Sequence, residues 1–587
     1  MGNTRFRSVI LASALLWGCS SSSGPGQNTG TGGSSTGSGG STNATGGTSG
    51  GLTGSGGSSS GNGGSNTGSG GASSGSGGTA TGNGGSTGND GSNGNAGSGS
   101  GGHTTTGSGG SAGSGTGSGG NSGSAGSGTG SGGSAGGSSG GAVTVQLAQT
   151  EQTIQGFGIN DNWGQDLTSV ASQLFSTSGT GLGLSILRTG MSDSGSFYNS
   201  FESKNISALK SGAGSSAKLI GSVWSPPANC KTNNNVNDGG HVMSSCYTSW
   251  ANTIANFASS NGFYAMSIGN EPDFASCGNS DPCNGDYPTT LFTANELVAW
   301  VKVAGAALKA KNVKVIAPEA SEWLHTWSNV SAGPDAAGKE SSDPLKCGCF
   351  PDKNTTSCAS TCSTGGGYDY GHFLAKDTAA WAAFDILGVH EYDSQVAMPW
   401  PADVNGGKPD HEVWQTEMSG VKWWPEQGPS SDINNGVAVA GWIHPALVDG
   451  QASAWLWWWW QAYNTDDNEG LLLKSGTDTK RHYTFGNYSK FVRPGYKRVD
   501  ITGTVPAGVL LSAYTGSDGT VVVVAINKNS SAVTVPISIA GGTAPAMMTP
   551  NVTSSTDNLA AKTAVAVSGG SFMASLAATT VTTFVGK

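Results

Sequence analysis

Two glutamates are placed to do chemistry. Glu271 stands in Ser267-Ile-Gly-Asn-Glu-Pro-Asp273 and Glu417 in Val413-Trp-Gln-Thr-Glu-Met418, each after a short apolar run. A carboxylate that follows such a run sits where a barrel strand ends, and there a side chain points into the mouth that houses barrel active sites. Two carboxylates from different strands are what hydrolysis of a glycosidic bond needs, one as acid and base, the other as nucleophile. Asn-Glu-Pro alone also reads as a turn with a cap. The second glutamate and the aromatic residues around both weigh against that plainer reading.

The elements that must position them recur along the chain. Apolar runs at 154–159, 182–187, 218–223, 264–268, 313–317, 384–389, 412–416 and 452–459 read as strands, with helical stretches such as 247–259 and 294–309 between them. Eight such units predict an α/β fold, a (β/α)8 TIM barrel. Its mouth would collect Asn160, Asp161, Arg188, Trp224, Asn270, Glu271, Glu319, His390, Tyr392, Glu417 and Trp460. From about Tyr496 the pattern becomes β-rich: runs at 499–501, 509–514, 520–527, 533–539 and 580–585 are separated by Gly, Ser and Asp. This predicts a C-terminal antiparallel β-sandwich side domain over 494–587, following a barrel domain over 143–493. The segment 142–152 also alternates and is a candidate extra strand of the sandwich.

The chain has 587 residues, but its first quarter is not globular. Residues 1–19 read as an export signal: Arg5 and Arg7 precede an apolar stretch too short for a membrane span. Leu16-Trp-Gly-Cys19 resembles a bacterial lipoprotein signal in which Cys19 carries the lipid; an ordinary secretory signal is the alternative. Residues 20–142 are almost wholly Gly, Ser, Thr, Asn and Ala, which bury too little apolar surface to order, and read as a flexible linker. The expected location is therefore outside the cell, as a surface lipoprotein anchored to the membrane through Cys19, or as a secreted protein. A formal charge of −10 argues against nucleic acid as a partner.

Nine cysteines agree with export. Setting Cys19 aside, sequence order suggests Cys230–Cys246, Cys277–Cys283, and two bridges among Cys347, Cys349, Cys358 and Cys362. That last cluster also has the look of a zinc site, but no His lies at ligand spacing within it.

The residues also resemble a known family. Gln155-Gly-Phe-Gly158, Trp224-Ser-Pro-Pro227, Asn270-Glu-Pro-Asp273, Ile316-Ala-Pro-Glu319, Asp385-Ile-Leu-Gly-Val-His390, Thr416-Glu417, Tyr488-Ser-Lys-Phe-Val-Arg-Pro-Gly-Tyr496 and Val522-Val-Val-Ala-Ile-Asn527 stand in the order found in glycoside hydrolase family 30. The resemblance is to its bacterial glucuronoxylanase branch and runs from about residue 143 to the C-terminus. It implies a retaining enzyme with Glu271 as general acid/base and Glu417 as nucleophile, their carboxyls about 5–5.5 Å apart. Asn270 is then expected at the sugar 2-OH. Arg188, His390 and Tyr392 are expected to orient or tune Glu417, although His390 also reads as a core histidine. Trp224 and part of the Trp455–Trp460 run would form the sugar platform. Trp423 and Trp424 would flank the cleft or lie on the surface, and Glu319 reads as a supporting acid or a loop charge. No cofactor and no metal is implied.

The chain departs from that branch after the eighth strand. A fork of basic groups is the natural ligand for an anionic uronate branch. Here Gln461-Ala-Tyr-Asn-Thr-Asp-Asp-Asn-Glu469 has no Arg and three acids, although Tyr463 offers a hydroxyl and Lys480 and Arg481 lie downstream. The expected activity is an endo-β-1,4-xylanase that does not depend on glucuronic acid, acting on plant-type polysaccharide. The alternatives are the same mechanism on a β-1,6-galactan or β-1,6-glucan, or a surface glycan-binding lipoprotein on a barrel that has lost catalysis.

Overall fold

The computed structural model describes residues 143–162, 165–237, 239–274, 287–327, 369–392, 397–420 and 428–587. The expected signal with Cys19, the linker, Cys277, Cys283, the cysteines from Cys347 to Cys362, and Trp423 and Trp424 lie outside these residues.

The chain enters through β1 (Val143–Thr153) and then builds a closed parallel barrel. Its strands are β2 (Gly156–Asn160), β3 (Ile186–Met191), β4 (Lys218–Val223), β5 (Ala265–Ser267), β6 (Lys314–Ala320), β7 (Ile386–His390), β8 (Glu412–Glu417) and β9 (Ala452–Trp459). β9 closes the ring by pairing parallel with β2. Side chains alternate across a strand, so every second residue faces the lumen. Ile186, Ile220, Ala265, Ile316, Ile386, Trp414, Ala454 and Leu456 fill it as one apolar cluster. Their neighbours, such as Leu187, Val315, Leu387, Trp455 and Trp457, face outward into the core under the helices. Gly158 keeps β2 close to β3: a Cβ there would stand 2.5 Å from the backbone oxygen of Ile186.

Strand limits depart from the sequence expectation where burial and extension part company. Leu182 and Leu184 are buried, yet the strand begins only at Ile186. Gly183 takes a left-handed φ of +62°, so the apolar run 182–187 is mostly a packed loop. Arg188 therefore lies inside a strand, not at its end. The helix Ala294–Lys309 is closed at its start by a capping box between Thr293 and Glu296. Cys230 and Cys246 form the disulfide suggested by sequence order.

The remaining strands are β10 (Lys497–Thr502), β11 (Val509–Thr515), β12 (Val521–Asn527), β13 (Val533–Ala540), β14 (Met547–Thr553), β15 (Ala560–Ala561), β16 (Val565–Ala566), β17 (Ser571–Leu576) and β18 (Thr580–Gly586). They form, with β1, a mostly antiparallel sheet in the order β15-β14-β18-β12-β11-β10-β1-β13-β17, with β16 beside β14. β1 joins the two halves, antiparallel to β10 and parallel to β13. β14 and β17 were not expected from the sequence: Pro550 interrupts the first, and in the second the exposed Met573 blurs the alternation of buried Phe572, Ala574 and Leu576. In β12, Val521, Val523 and Ala525 line the sandwich interior, while Val522, Val524 and Ile526 pack into the core shared with the barrel helices. Burial on both faces explains its unbroken apolar run.

Candidate active site

One pleat above the apolar lumen layer, the same strands carry a polar layer. Arg188 on β3 is fully buried and is its hub. Its Nη1 donates to Glu417 Oε2 and to Asn160 Oδ1, each at 2.8 Å. Its Nη2 donates to Asn270 Oδ1 at 2.6 Å, which fixes which way that amide points. Its Nε donates to Glu319 Oε1 at 3.1 Å. Glu319 is thus a buried partner of the guanidinium, not a loop charge, and Ser222 on β4 donates to its other oxygen at 2.5 Å. Burial opposes ionisation of Glu319, but Arg188 and His390 hold its carboxyl far below the ordinary range.

Glu271 lies just beyond β5 and Glu417 ends β8. Two backbone devices aim them. Register slips between Val389 and His390 along the β7–β8 pair, so that His390 pairs with Glu417. An irregularity of this kind lets Glu417 face the same way as Trp414 despite its odd spacing. Glu271 has a φ of +43° and Glu319 a φ of +60°. Left-handed backbone at a residue other than glycine costs about 1–3 kcal/mol and persists only where the surroundings hold it. The Glu271 amide donates to the Glu319 carbonyl at 3.0 Å, so each strained residue supports the other.

His390, fully buried, faces Glu271 through Nδ1 at 3.0 Å, with Nε2 3.8 Å from Glu417 and 3.9 Å from Glu319. Burial alone would keep it neutral; the charge of Glu417, with Glu271 and Glu319, overrides this and raises it to about 10. Tyr392 donates to Glu417 Oε1 at 2.8 Å. Burial and the two nearby glutamates push its phenol well above the usual value. The Glu271 carboxyl is raised to about 7, chiefly by burial, with Glu417 and Asp273 adding to the rise and His390 opposing it. One ligand atom each of Glu271, His390 and Glu417 lies within 4.8 Å of the others. These three are also the set, among the described residues, with the spacing to hold a metal ion.

Of the expected aromatic residues, Trp224 belongs to this layer: the Arg188 guanidinium carbon sits 5.0 Å over its ring. Trp458 lies 6.3 Å from it and is partly exposed. Trp458 continues the lumen-facing alternation of Ala454 and Leu456, whereas Trp460, just past the end of β9, packs into the apolar core. Tyr463 is exposed on the loop after β9, with Lys474 over its ring at 5.6 Å. Lys480 turns away to the Asn558 side chain and the Ser554 carbonyl. Arg481 is buried beneath the loop and donates to Gly470, Asn435 and Asn468. Asp467 accepts from the amides of Tyr463 and Glu469, so part of the loop's acidity holds its own backbone.

The profile described as the glycosyl hydrolase family 30 beta sandwich domain matches residues 495–584. Over 462 residues the chain is 30% identical to the glucuronoxylanase XynC of Bacillus subtilis, covering 76% of this chain and 91% of that protein. Among solved structures, the GH30 endoxylanase of Clostridium papyrosolvens C71 is 28% identical with a TM-score of 0.56, covering 76% of this chain and 100% of that one. The family 30 subfamily 8 xylanase Xyn30A of Clostridium acetobutylicum is 26% identical with a TM-score of 0.58, over 76% and 99% of the two chains.

Proposed function

The chain belongs to glycoside hydrolase family 30, and on that footing we propose that it is a retaining endo-β-1,4-xylanase that does not require glucuronic acid branches. The observation that carries the mechanism is the approach of carboxyl oxygens of Glu271 and Glu417 to within 4.8 Å. That gap suits direct attack on a sugar carbon and is too small for the water an inverting enzyme must seat.

In the first step Glu417 attacks the anomeric carbon while Glu271 gives its proton to the departing glycosidic oxygen. The C–O bond breaks and a glycosyl ester forms on Glu417. Arg188 and Tyr392 hold one oxygen each of that carboxylate. Because Arg188 occupies Asn270 Oδ1, the amide Nδ2 is left to donate to the sugar 2-OH. Esterification removes the charge of Glu417, which had helped to raise Glu271. Glu271 then takes a proton from water, which attacks the same carbon and frees the sugar.

The substrate reading is supported by the xylanases among the relatives, and independence from uronate by the loop after β9. That loop carries Asp466, Asp467 and Glu469, and Arg481 beneath it is spent on Gly470, Asn435 and Asn468. Within 461–469 no arginine offers a fork to an anionic branch. We place the enzyme outside the cell, exported by 1–19, anchored at Cys19 or released, and tethered by 20–142. The Cys230–Cys246 disulfide fits an oxidising compartment.

Product analysis tests this. Residues 143–587 are incubated with glucuronoxylan, arabinoxylan, linear xylan, β-1,6-galactan and β-1,6-glucan. Xylo-oligomers of mixed length, with no fixed position relative to uronate, are expected. Products each carrying one uronate at a fixed position would refute the account of the loop. Turnover of galactan or glucan alone would replace the substrate and keep the mechanism.

A further inference from the structure

Glu271 stands in left-handed backbone on a short turn, with the Phe274 amide donating back to its carbonyl at 3.0 Å. Such a turn needs an external clamp, and Asp273 is placed to be one. Its side chain is buried and reaches across to the loop that follows β6. There Oδ1 and Oδ2 accept from the Ser321 amide at 3.0 and 3.1 Å. Oδ2 also accepts from the Ser321 hydroxyl at 2.6 Å and meets His325 Nδ1 at 2.5 Å. Four contacts on one buried carboxylate are more than a surface turn residue makes. Ser321 in turn accepts the Tyr392 amide at 3.3 Å, and Tyr392 holds Glu417. The clamp therefore ties the ends of β5, β6 and β7 where the acid, its backbone partner Glu319 and the tyrosine must meet.

We infer that Asp273, anchored by Ser321 and His325, is a positioning residue that sets the orientation of Glu271. It does not touch the sugar. Its negative charge also lies close enough to favour the protonated form of Glu271, as Glu417 does from the other side and His390 opposes. The inference rests on the assignment of Glu271 as the acid made above. It adds that the acid is only as good as the clamp that holds it.

Aryl β-xylobiosides with leaving phenols of graded acidity separate this role from general support, because 2,4-dinitrophenol leaves without a proton and a weakly acidic phenol does not. Turnover of the series by the unaltered enzyme tests the substrate reading first. If another sugar is the substrate, the same comparison is run on its aryl glycosides. For Asp273→Asn, kcat/KM is expected to fall about 10- to 100-fold with the poor leaving group, the scale of a misplaced catalytic group. With dinitrophenol the loss should be less than about threefold, since protonation is not needed there. The alkaline limb of the pH profile should also move to lower pH, because removing a negative charge makes Glu271 lose its proton more easily. Ser321→Ala, which removes one hydroxyl, should show a smaller loss of the same pattern and guards against misfolding of the first variant. Equal losses with both leaving groups, or an alkaline limb that stays in place, would reduce Asp273 to a structural residue and overturn the inference.

Discussion

At the scale of the residue, the division of labour proposed for two chemically identical side chains rests on their neighbours. Glu417 accepts from Arg188 and Tyr392, which hold its two oxygens in place. Glu271 is buried beside other acids and is raised to about 7. A catalytic acid works only while it holds its proton, and a raised carboxyl holds it below that value. The kcat/KM on xylan should accordingly fall as pH rises through about 7. Glu271→Gln should remove that limb and cost about 10²- to 10⁴-fold with poor leaving groups. Glu417→Gln should abolish turnover. A Glu271→Gln enzyme that retains the alkaline limb would show that another group is the acid. The sequence named both glutamates, together with Asn270, Arg188, His390 and Tyr392, because each sits beside an apolar run in a recognisable motif. It assigned no role to Ser222, Asp273 or His325, whose partners come from other strands and loops.

At the scale of the element, the join between β2 and the helix Glu202–Ala213 carries a charge problem of its own. Asp161, just after β2, and Glu202, the first residue of that helix, are both buried. Each is held by an amide: Asn205 donates to Asp161 and Asn199 to Glu202, both at 3.1 Å. Burial, reinforced by Asp161, raises Glu202 to about 8, and burial raises Asp161 to about 7. Acids raised on folding bind protons that the unfolded chain releases. Their contribution is present in acid, below the ordinary carboxylate pKa, and is lost as pH rises through about 7 to 8. The Tm should therefore decline from about pH 5 to about pH 8 and level off above that, a loss of roughly a few degrees per kcal/mol being typical of such domains. Glu202→Gln, similar in shape and uncharged, should flatten that decline. An equally steep profile in the variant would place the alkaline sensitivity elsewhere.

At the scale of the whole molecule, barrel and sandwich share strand and core. β1 precedes the barrel in sequence but belongs to the sandwich sheet, between β10 and β13. Val522, Val524, Ile526 and Val581 of the sandwich lie in the same apolar core as Phe485 and Tyr488 of the helix Lys480–Ser489. Asn487 on that helix donates to Asn551 and Thr583 across the join. Residues 143–494 alone would leave β1 unpaired and that helix face bare, so they should be insoluble or bind a hydrophobic dye and unfold without a cooperative transition. A soluble, cooperatively unfolding 143–494 would show that the barrel stands by itself. The sequence alone determined the barrel, the side domain and the two glutamates, because strand-length apolar runs and the residues that follow them are local features. Tertiary structure decided what lies between: that Arg188 sits within a strand, that Trp458 stands beside Trp224, that Glu319 is a buried counter-ion and that Arg481 is spent beneath the acidic loop. Each depends on which groups meet across strands distant in sequence, and burial and register settle that only when the ring closes.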